Sequence, residues 1–313
     1  MEGERKIVDC HAHVWRYPDH FVKEEFARVY GAKLAAFPEE RLAKIFDSPV
    51  EAYLKETEGV VHKAVLLGLQ FPRTLAMHVP NDYLADTVRK RPDRLAWCCA
   101  VEPTHPSALA EVERCIKLGA IGIGELGPAY TYFNVTDKRC FPVWEKAQET
   151  GLPVVMHAGA SSARWARLSF ADLANVDELA ISFPELKIVI AHAGFYRFED
   201  GMFLARKHPN VFCDISWLTG LAGLDRVMVP RHLPEAQNPY FNFVYPLAYY
   251  FSQTYGETDK LLFGSDWRAS SPRLYVETLA RLNDIMKSYN LPPIPQKSID
   301  NILHENWKKV FRL

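Results

Sequence analysis

The feature that most constrains this chain is a series of eight short apolar runs, at 7–10, 63–69, 95–101, 120–126, 152–157, 186–192, 210–215 and 260–266. Most are apolar at nearly every position rather than at alternate ones. A strand of that kind is buried on both faces, as in a parallel sheet covered by helices. Amphipathic segments at 50–57, 81–90, 107–117, 138–149, 172–182, 198–207 and 272–289 lie between the runs. Several end on stop signals, with Gly119 after Leu118 and Gly151-Leu152-Pro153 after Thr150. Strand and helix alternating eight times predict an α/β chain folded as a (β/α)8 TIM barrel.

Spacing supports one unit per interval. Five of the seven gaps between successive strand ends run from 23 to 35 residues, near the roughly 30 of one βαβ unit. The other two are 56 and 51 residues and mark insertions at 14–47 and 216–259, after the first and seventh strands. Both fall on the C-terminal face, where such barrels build their sites, so both are expected to cover the mouth. No linker, repeat or low-complexity tract interrupts the pattern, and a single domain over 1–313 is expected.

Composition narrows the function. Lys and Arg number 37 against 38 for Asp and Glu, a net charge of −1, without the basic excess of a nucleic-acid binder. The longest apolar runs fall far short of the roughly 20 residues of a membrane span, and the charged start MEGERKIVDCHAH has no signal-peptide core. Six cysteines form no C-x-x-C pair, and four sit in strand-like runs where a thiol packs as a small hydrophobe. These features fit a reduced, cytoplasmic protein that acts on a small molecule.

The chemistry gathers at strand ends. His11 and His13 close the first strand as His-Ala-His, and residues two apart on a strand share a face, so both imidazoles aim at the barrel mouth. Two imidazoles at this spacing make half of a zinc site, although histidines bound to backbone near a strand end also occur as such pairs. The fifth strand ends at His157, the sixth at His192 and the eighth at Asp266. Chain order puts all five groups on one rim.

The set HAH, VMH, IAH and GSD, with the closing segment ILHENWKKVF, resembles the amidohydrolase superfamily. Within it, the chain is most similar to the branch of aminocarboxymuconate-semialdehyde decarboxylase, benzoate-type decarboxylases and many metal-dependent hydrolases. The resemblance implies His11, His13 and His157 as metal ligands with Asp266 as the carboxylate ligand. It also implies that His192 acts on the metal-bound water or the substrate. Asp266 and His192 are thus the expected catalytic pair. A strand-4 acid bridges two ions in two-metal relatives, and Glu125 in GIGELG occupies that place. Its alternative is to brace a ligand histidine, and one ion with Glu125 in that supporting role is expected. Zinc is the expected metal, with Mn2+ and Fe2+ as alternatives.

Arginines and aromatics follow the same strand ends. Trp15, Arg16, Arg164, Arg197, Trp267 and Arg268 are the candidate substrate contacts, since guanidinium suits carboxylates and aromatic rings give flat walls. The aromatic run at 240–250 is expected to be a packed helix or a subunit interface of a homodimer. Two reactions fit. One is hydrolysis of an amide, ester or lactone of a small carboxylated substrate, and the other is non-oxidative decarboxylation of an aromatic or unsaturated acid. The decarboxylases of the branch tend to carry His-Pro at the fifth strand end, and His157-Ala158-Gly159 stands here, which favours hydrolysis. A non-catalytic barrel, or one that works without metal, is the third alternative, disfavoured by the ligand-type residues on one rim.

Overall fold

Eight strands close a barrel in the computed structural model, which describes residues 5–222 and 239–313. They are β1 (Val8–Ala12), β2 (Lys63–Leu67), β3 (Leu95–Cys98), β4 (Ile123–Leu126), β5 (Val154–Met156), β6 (Ile188–Ile190), β7 (Val211–Asp214) and β8 (Leu261–Leu262). Parallel ladders join β1 to β2 to β3, and β4 through β8 in order. Two seams complete the circle. The N–H of Gly124 donates to Cys99 O at 2.8 Å between β4 and β3. Between β8 and β1, the N–H groups of Cys10, Asp266 and His13 donate to Phe263 O, His11 O and Trp267 O at 2.9, 2.8 and 2.9 Å.

The barrel interior is a buried cluster drawing on seven strands: Val8 and Cys10, Val65 and Leu67, Cys98, Val155, Val189, Phe212 and Leu262. Trp307, Val310 and Phe311 pack against it from the last helical turn. β4 contributes no side chain, because Gly124 within it and Gly122 just before it stand at tight positions. A Cβ on Gly122 would meet Cys98 Sγ at 2.7 Å, and one on Gly124 (φ +144°) would meet Val155 O at 2.5 Å. A larger second cluster joins the outer faces of the strands to the helices. The six thiols are all buried and unpaired.

Helices over Val50–Glu56, Asn81–Lys90, Ala108–Lys117, Leu173–Ser182 and Phe198–Lys207 match the amphipathic segments. The segment at 138–149 opens as a 3-10 turn, Lys138–Cys140, before the α-helix Phe141–Thr150, which stops at left-handed Gly151. The segment at 272–289 is two helices, Pro272–Ala280 and Leu282–Ser288, parted at Arg281. β8 is shorter than its apolar run because the chain leaves the β7 ladder after Leu262 to pair with β1.

The first insertion folds into helices Lys23–Tyr30, Ala32–Ala35 and Glu39–Phe46. Tyr17, Phe21, Phe26, Tyr30 and Phe46 cluster with ring centroids 4.7–6.4 Å apart and give the insertion a core of its own. It lies on the C-terminal rim: Tyr30 Oη donates to Leu75 O at 2.7 Å and the Arg28 guanidinium stacks 4.6 Å from the Trp165 ring. Of the second insertion, residues 223–238 lie outside the described residues. The aromatic run forms a helix over Tyr245–Ser252 preceded by a π turn, with Phe243, Leu247 and Tyr250 buried and Phe241 60% exposed. No helix among the described residues is long and apolar enough to cross a membrane.

Candidate metal centre

Two ladder irregularities shape the site. The register slips by one residue between Asp9 and Ala12 on β1, and again between Ile123 and Leu126 on β4. Such slips re-aim side chains, and here they fall at His11 and Glu125. His11 and His13 are fully and nearly fully buried. The His11 Nδ1–H donates to Asp214 Oδ2 at 2.9 Å and the His13 Nδ1–H to Leu67 O at 3.0 Å. With those protons placed, each Nε2 is a bare lone pair in the neutral ring. The two Nε2 atoms nevertheless face one another at 3.0 Å. Two neutral rings repel at that distance through their lone pairs, and either a second proton on His11 or a metal cation between the two nitrogens relieves it.

Two carboxylates flank this pair. Glu125 Oε2 lies 3.4 Å from His13 Nε2 and 3.8 Å from His11 Nε2, and Asp266 Oδ1 stands at the same 3.4 and 3.8 Å. Asp266 reaches this place through a left-handed backbone (φ +54°) at the turn after β8. A tetrahedron with metal–ligand arms of about 2.1 Å has edges of about 3.4 Å, and arms about 90° apart span about 3.0 Å. The donor set His11, His13, Glu125 and Asp266 therefore has the spacing of ligands to one divalent ion. His11, His13 and Glu125 are one of three buried groups able to hold a metal.

The second oxygen of Glu125 serves the other side. Oε1 lies 3.1 Å from His157 Nδ1 and 3.5 Å from His192 Nε2, and these three residues form a second such group. His157 turns its Nε2 to Ala160 O at 3.0 Å and to Tyr130 Oη at 3.2 Å, not toward the His11–His13 pair. Glu125, 4% exposed, thus stands at the centre of four imidazoles. The structure gives it more partners than its motif suggested.

Charge in this pocket is tightly coupled. Burial opposes ionisation of Glu125, yet His11 and the hydrogen bonds of His13, His157 and His192 hold its carboxyl well below the usual range. Burial likewise disfavours a charged His11, but Asp214, Glu125 and Asp266 outweigh it and raise the ring to about 10. His192 moves up for the same reason, through Glu125 and Asp266 against burial. Asp214 moves down, its burial overcome by His11 and His192. Without a metal, the carboxylates are balanced only by protons on these rings.

Four residues of the centre carry no motif. Asp214 holds His11 through Oδ2. Through Oδ1 it accepts the N–H groups of His192 and Ser216 at 3.1 and 3.0 Å, together with the Ser216 hydroxyl. Ser216 Oγ also meets His192 Nδ1 at 2.7 Å. Asp9 ties β1 to the Asp266 turn, accepting from the N–H groups of Ser265 and His11 at 2.9 and 3.2 Å, Ser265 Oγ at 2.6 Å and Tyr53 Oη at 2.9 Å. Trp217 completes a wall, its ring 5.9 Å from His192 and 5.2 Å from Phe195.

The six candidate substrate contacts lie further out. Trp15 Nε1 donates to Phe46 O, Arg16 pairs with Asp47 at 3.3 Å, and Arg268 donates to Asp47 O, so these three anchor the first insertion. Trp267 packs its buried ring 5.8 Å from Tyr53. Arg164 stacks on Trp165 at 5.0 Å. Arg197 is held by Asp172 at 3.0 Å and by Asp200, at the start of the helix Phe198–Lys207. Among the described residues, none of these six side chains hydrogen-bonds or ring-stacks with the four histidines of the centre.

Known proteins share this frame. The chain is 25% identical over 226 residues to a 2-keto-4-carboxy-3-hexenedioate hydratase of Sphingobium sp., a match covering 60% of this chain and 65% of that relative's length. A probable 2-pyrone-4,6-dicarboxylic acid hydrolase of Acinetobacter baumannii, solved with citric acid bound, superposes with a TM-score of 0.63 at 16% identity, over 97% of this chain and 98% of that one. A 5-carboxyvanillate decarboxylase of Novosphingobium aromaticivorans, complexed with manganese and 4-hydroxy-3-methoxy-5-nitrobenzoic acid, superposes with a TM-score of 0.61 at 15% identity, over 100% of this chain and 97% of that one. At such identities the superpositions speak for the barrel alone. The family assignment rests on the sequence match that runs from Val8 to the last residue, 8–313, and takes in every strand end of the centre: this chain belongs to the metal-dependent amidohydrolase family.

Proposed function

We propose that this protein is a metal-dependent hydrolase that directs a water at the amide, ester or lactone carbonyl of a small carboxylated substrate. The observation that carries the reading is the facing pair of His11 and His13 Nε2 atoms at 3.0 Å, flanked by Glu125 and Asp266 oxygens. His11, His13, Asp266 and Glu125 would hold the divalent ion, with zinc the first choice for this mixed nitrogen and oxygen set. Bound there, the ion supplies a water of lowered pKa and polarisation of the carbonyl oxygen. Asp266, the acid of the set whose side chain is 16% exposed toward the mouth, accepts the proton of the attacking water and returns it to the leaving group. His192 gives the proton on its Nε2 as a hydrogen bond to the oxygen that gains charge. His157, itself held by Tyr130, braces Glu125 from the far side.

A second reading of the metal count has its own support. Glu125 offers one oxygen to the His11–His13 pair and the other to His157 and His192, the arrangement of a carboxylate shared by two ions about 3.5–4 Å apart. His192 is then a ligand and not a hydrogen-bond donor.

The test pairs metal analysis of the purified protein with a screen of lactones, amides and hydroxybenzoates. One equivalent of ion with water-dependent ring or amide opening supports the first reading, and two equivalents support the second. Carbon dioxide release from a hydroxybenzoate would replace hydrolysis with decarboxylation. A protein that takes up no divalent ion would refute the proposal altogether.

A further inference from the structure

We infer that the first insertion is a gate over the centre, hinged at the loop after β2 and closed against the loop after β5 by Arg28 on Trp165. The inference rests on the proposed use of the centre by a molecule from solvent, but its test needs neither that reaction nor a bound ion.

The centre is closed. His11, His13, Glu125, His157 and His192 are each 6% exposed or less, and the Asp266 side chain reaches only 16%. A molecule much larger than water does not meet groups so covered, so part of the cover has to move. The insertion can move as one piece, because Tyr17, Phe21, Phe26, Tyr30 and Phe46 give it a core that does not depend on the barrel.

Its attachments are uneven. At the loop after β2, Tyr30 Oη donates to Leu75 O at 2.7 Å, the Val22 N–H to Ala76 O at 2.8 Å and the His78 N–H to His20 O at 2.9 Å. Those bonds make a hinge. Toward the loop after β5, the Arg28 guanidinium lies 4.6 Å from the Trp165 ring, and among the described residues no hydrogen bond or ion pair joins 18–46 to 158–171. β1 and β5 stand four places apart in the barrel, so this contact joins segments rooted on opposite sides of the mouth. A cation over a ring at a half-exposed site biases two states by only about 2–5-fold.

Trp165 pulls the other way. Its Nε1–H is shielded from solvent and has no hydrogen-bond partner, which disfavours the closed form. Withdrawal of Arg28 uncovers the indole and lets that N–H reach water. Closure thus sets one weak attraction against one unsatisfied donor, and open and closed forms lie close in free energy, as a gate requires. The same loop touches the centre, with Ala160 O 3.0 Å from His157 Nε2 and Ser161 Oγ donating to Tyr130 Oη at 3.0 Å. Parting at Trp165 therefore opens a way in beside His157.

Diethyl pyrocarbonate, a small reagent that acylates imidazole, tests this on chelated protein. After a short pulse, peptide mass spectrometry compares labelling of His13 and His157 with that of exposed His105. Arg28→Ala removes the attraction and should quicken labelling of the two centre histidines about 2–5-fold. Arg28→Gln, closer in length, serves if the alanine variant folds poorly. Trp165→Phe keeps a ring under the guanidinium but deletes the unpartnered N–H, so labelling should slow at least about twofold. A contact that merely holds the fold would move both variants the same way. Labelling that rises in both, falls in both or matches wild type in either overturns the inference. The labelled protein holds no ion and no substrate, so failure here leaves the hydrolase reading intact, and failure of that reading leaves this result standing.

Discussion

Asp9 offers the sharpest test of how the centre is held, because every one of its hydrogen bonds is accounted for. The carboxylate is fully buried and accepts four donors: two backbone N–H groups on Oδ1 and the Tyr53 and Ser265 hydroxyls on Oδ2. Burial pushes its carboxyl up, and the four donors offset only part of that rise. Asparagine fits the same space, keeps an acceptor for the two N–H groups and turns an NH2 against two hydroxyls that pointed at Oδ2. Two charge-assisted bonds of about 1.5–3 kcal/mol are lost and two become neutral ones of about 0.5–1.5 kcal/mol. Removing a buried charge returns part of its desolvation cost, and the net loss comes to about 2–4 kcal/mol. In a chain of this size that lowers Tm by about 3–6 °C.

Because Asp9 joins the His11 N–H to the turn that carries Asp266, ion affinity should fall as well, by about 10–100-fold. Calorimetry on chelated Asp9→Asn and wild-type protein reads the first effect, and a zinc titration reads the second. Asp9→Asn melting within about a degree of wild type, with zinc affinity unchanged, would refute both the bond assignment and the link it implies.

Three further outcomes follow from the same structure. Asp266→Asn should lower kcat by about 10²–10⁴ with a much smaller change in KM, and an unchanged kcat would assign the proton to another group, His192 first. Replacing residues 18–46 by a short turn should raise KM or abolish turnover while circular dichroism shows an intact barrel. Normal turnover after that replacement would reduce the insertion to a packing element. Glu111, hydrogen-bonded by Arg114 at 2.7 and 2.8 Å, is held at about 2. Its folded pKa lies below the unfolded value of about 4.3, so the stability it confers is complete above about pH 5 and drains away as pH falls toward 2. The Tm gap between wild type and Glu111→Gln should therefore be present at neutral pH and close in acid, and a gap of constant size would contradict this.

Much of the barrel is written in short-range pattern. Apolar runs marked the strands because each is buried on both faces, and the helix ending at Gly151 stops where a left-handed residue was expected. β8 departs from its run because pairing changes from β7 to β1 at Phe263, a tertiary exchange that leaves no trace in hydropathy. The break at Arg281 carries no proline or glycine to announce it. At the site, His11, His13, His157, His192 and Asp266 were visible because each ends an apolar run. Glu125 was visible as a residue but not as the central one, since its four imidazole partners come from β1 and from the ends of β5 and β6. Asp214 stands out as an acid at the end of the seventh apolar run, but its bond to His11 and that of Ser216 leave no local signal, because they span 203 and 205 residues of chain. Asp9 looked like an ordinary strand residue, and its partners Tyr53 and Ser265 lie 44 and 256 positions away.

The seam between β8 and β1 bears on when the protein acquires its ion. His11 and His13 are made about 255 residues ahead of the turn that carries Asp266, and bonds of that span join the two. Contacts so distant in sequence form late in folding. During synthesis, the early imidazoles are a loose two-nitrogen chelate, and such a site ranks metals by raw affinity, with copper ahead of zinc and manganese. Only closure of the seam brings the Asp266 carboxylate to the pair and fixes its geometry, and with them comes a preference that differs from that ranking. The chain therefore makes its choice of metal after synthesis, as a folded barrel, and protein refolded in mixed metals should carry a different ion from protein loaded once folded.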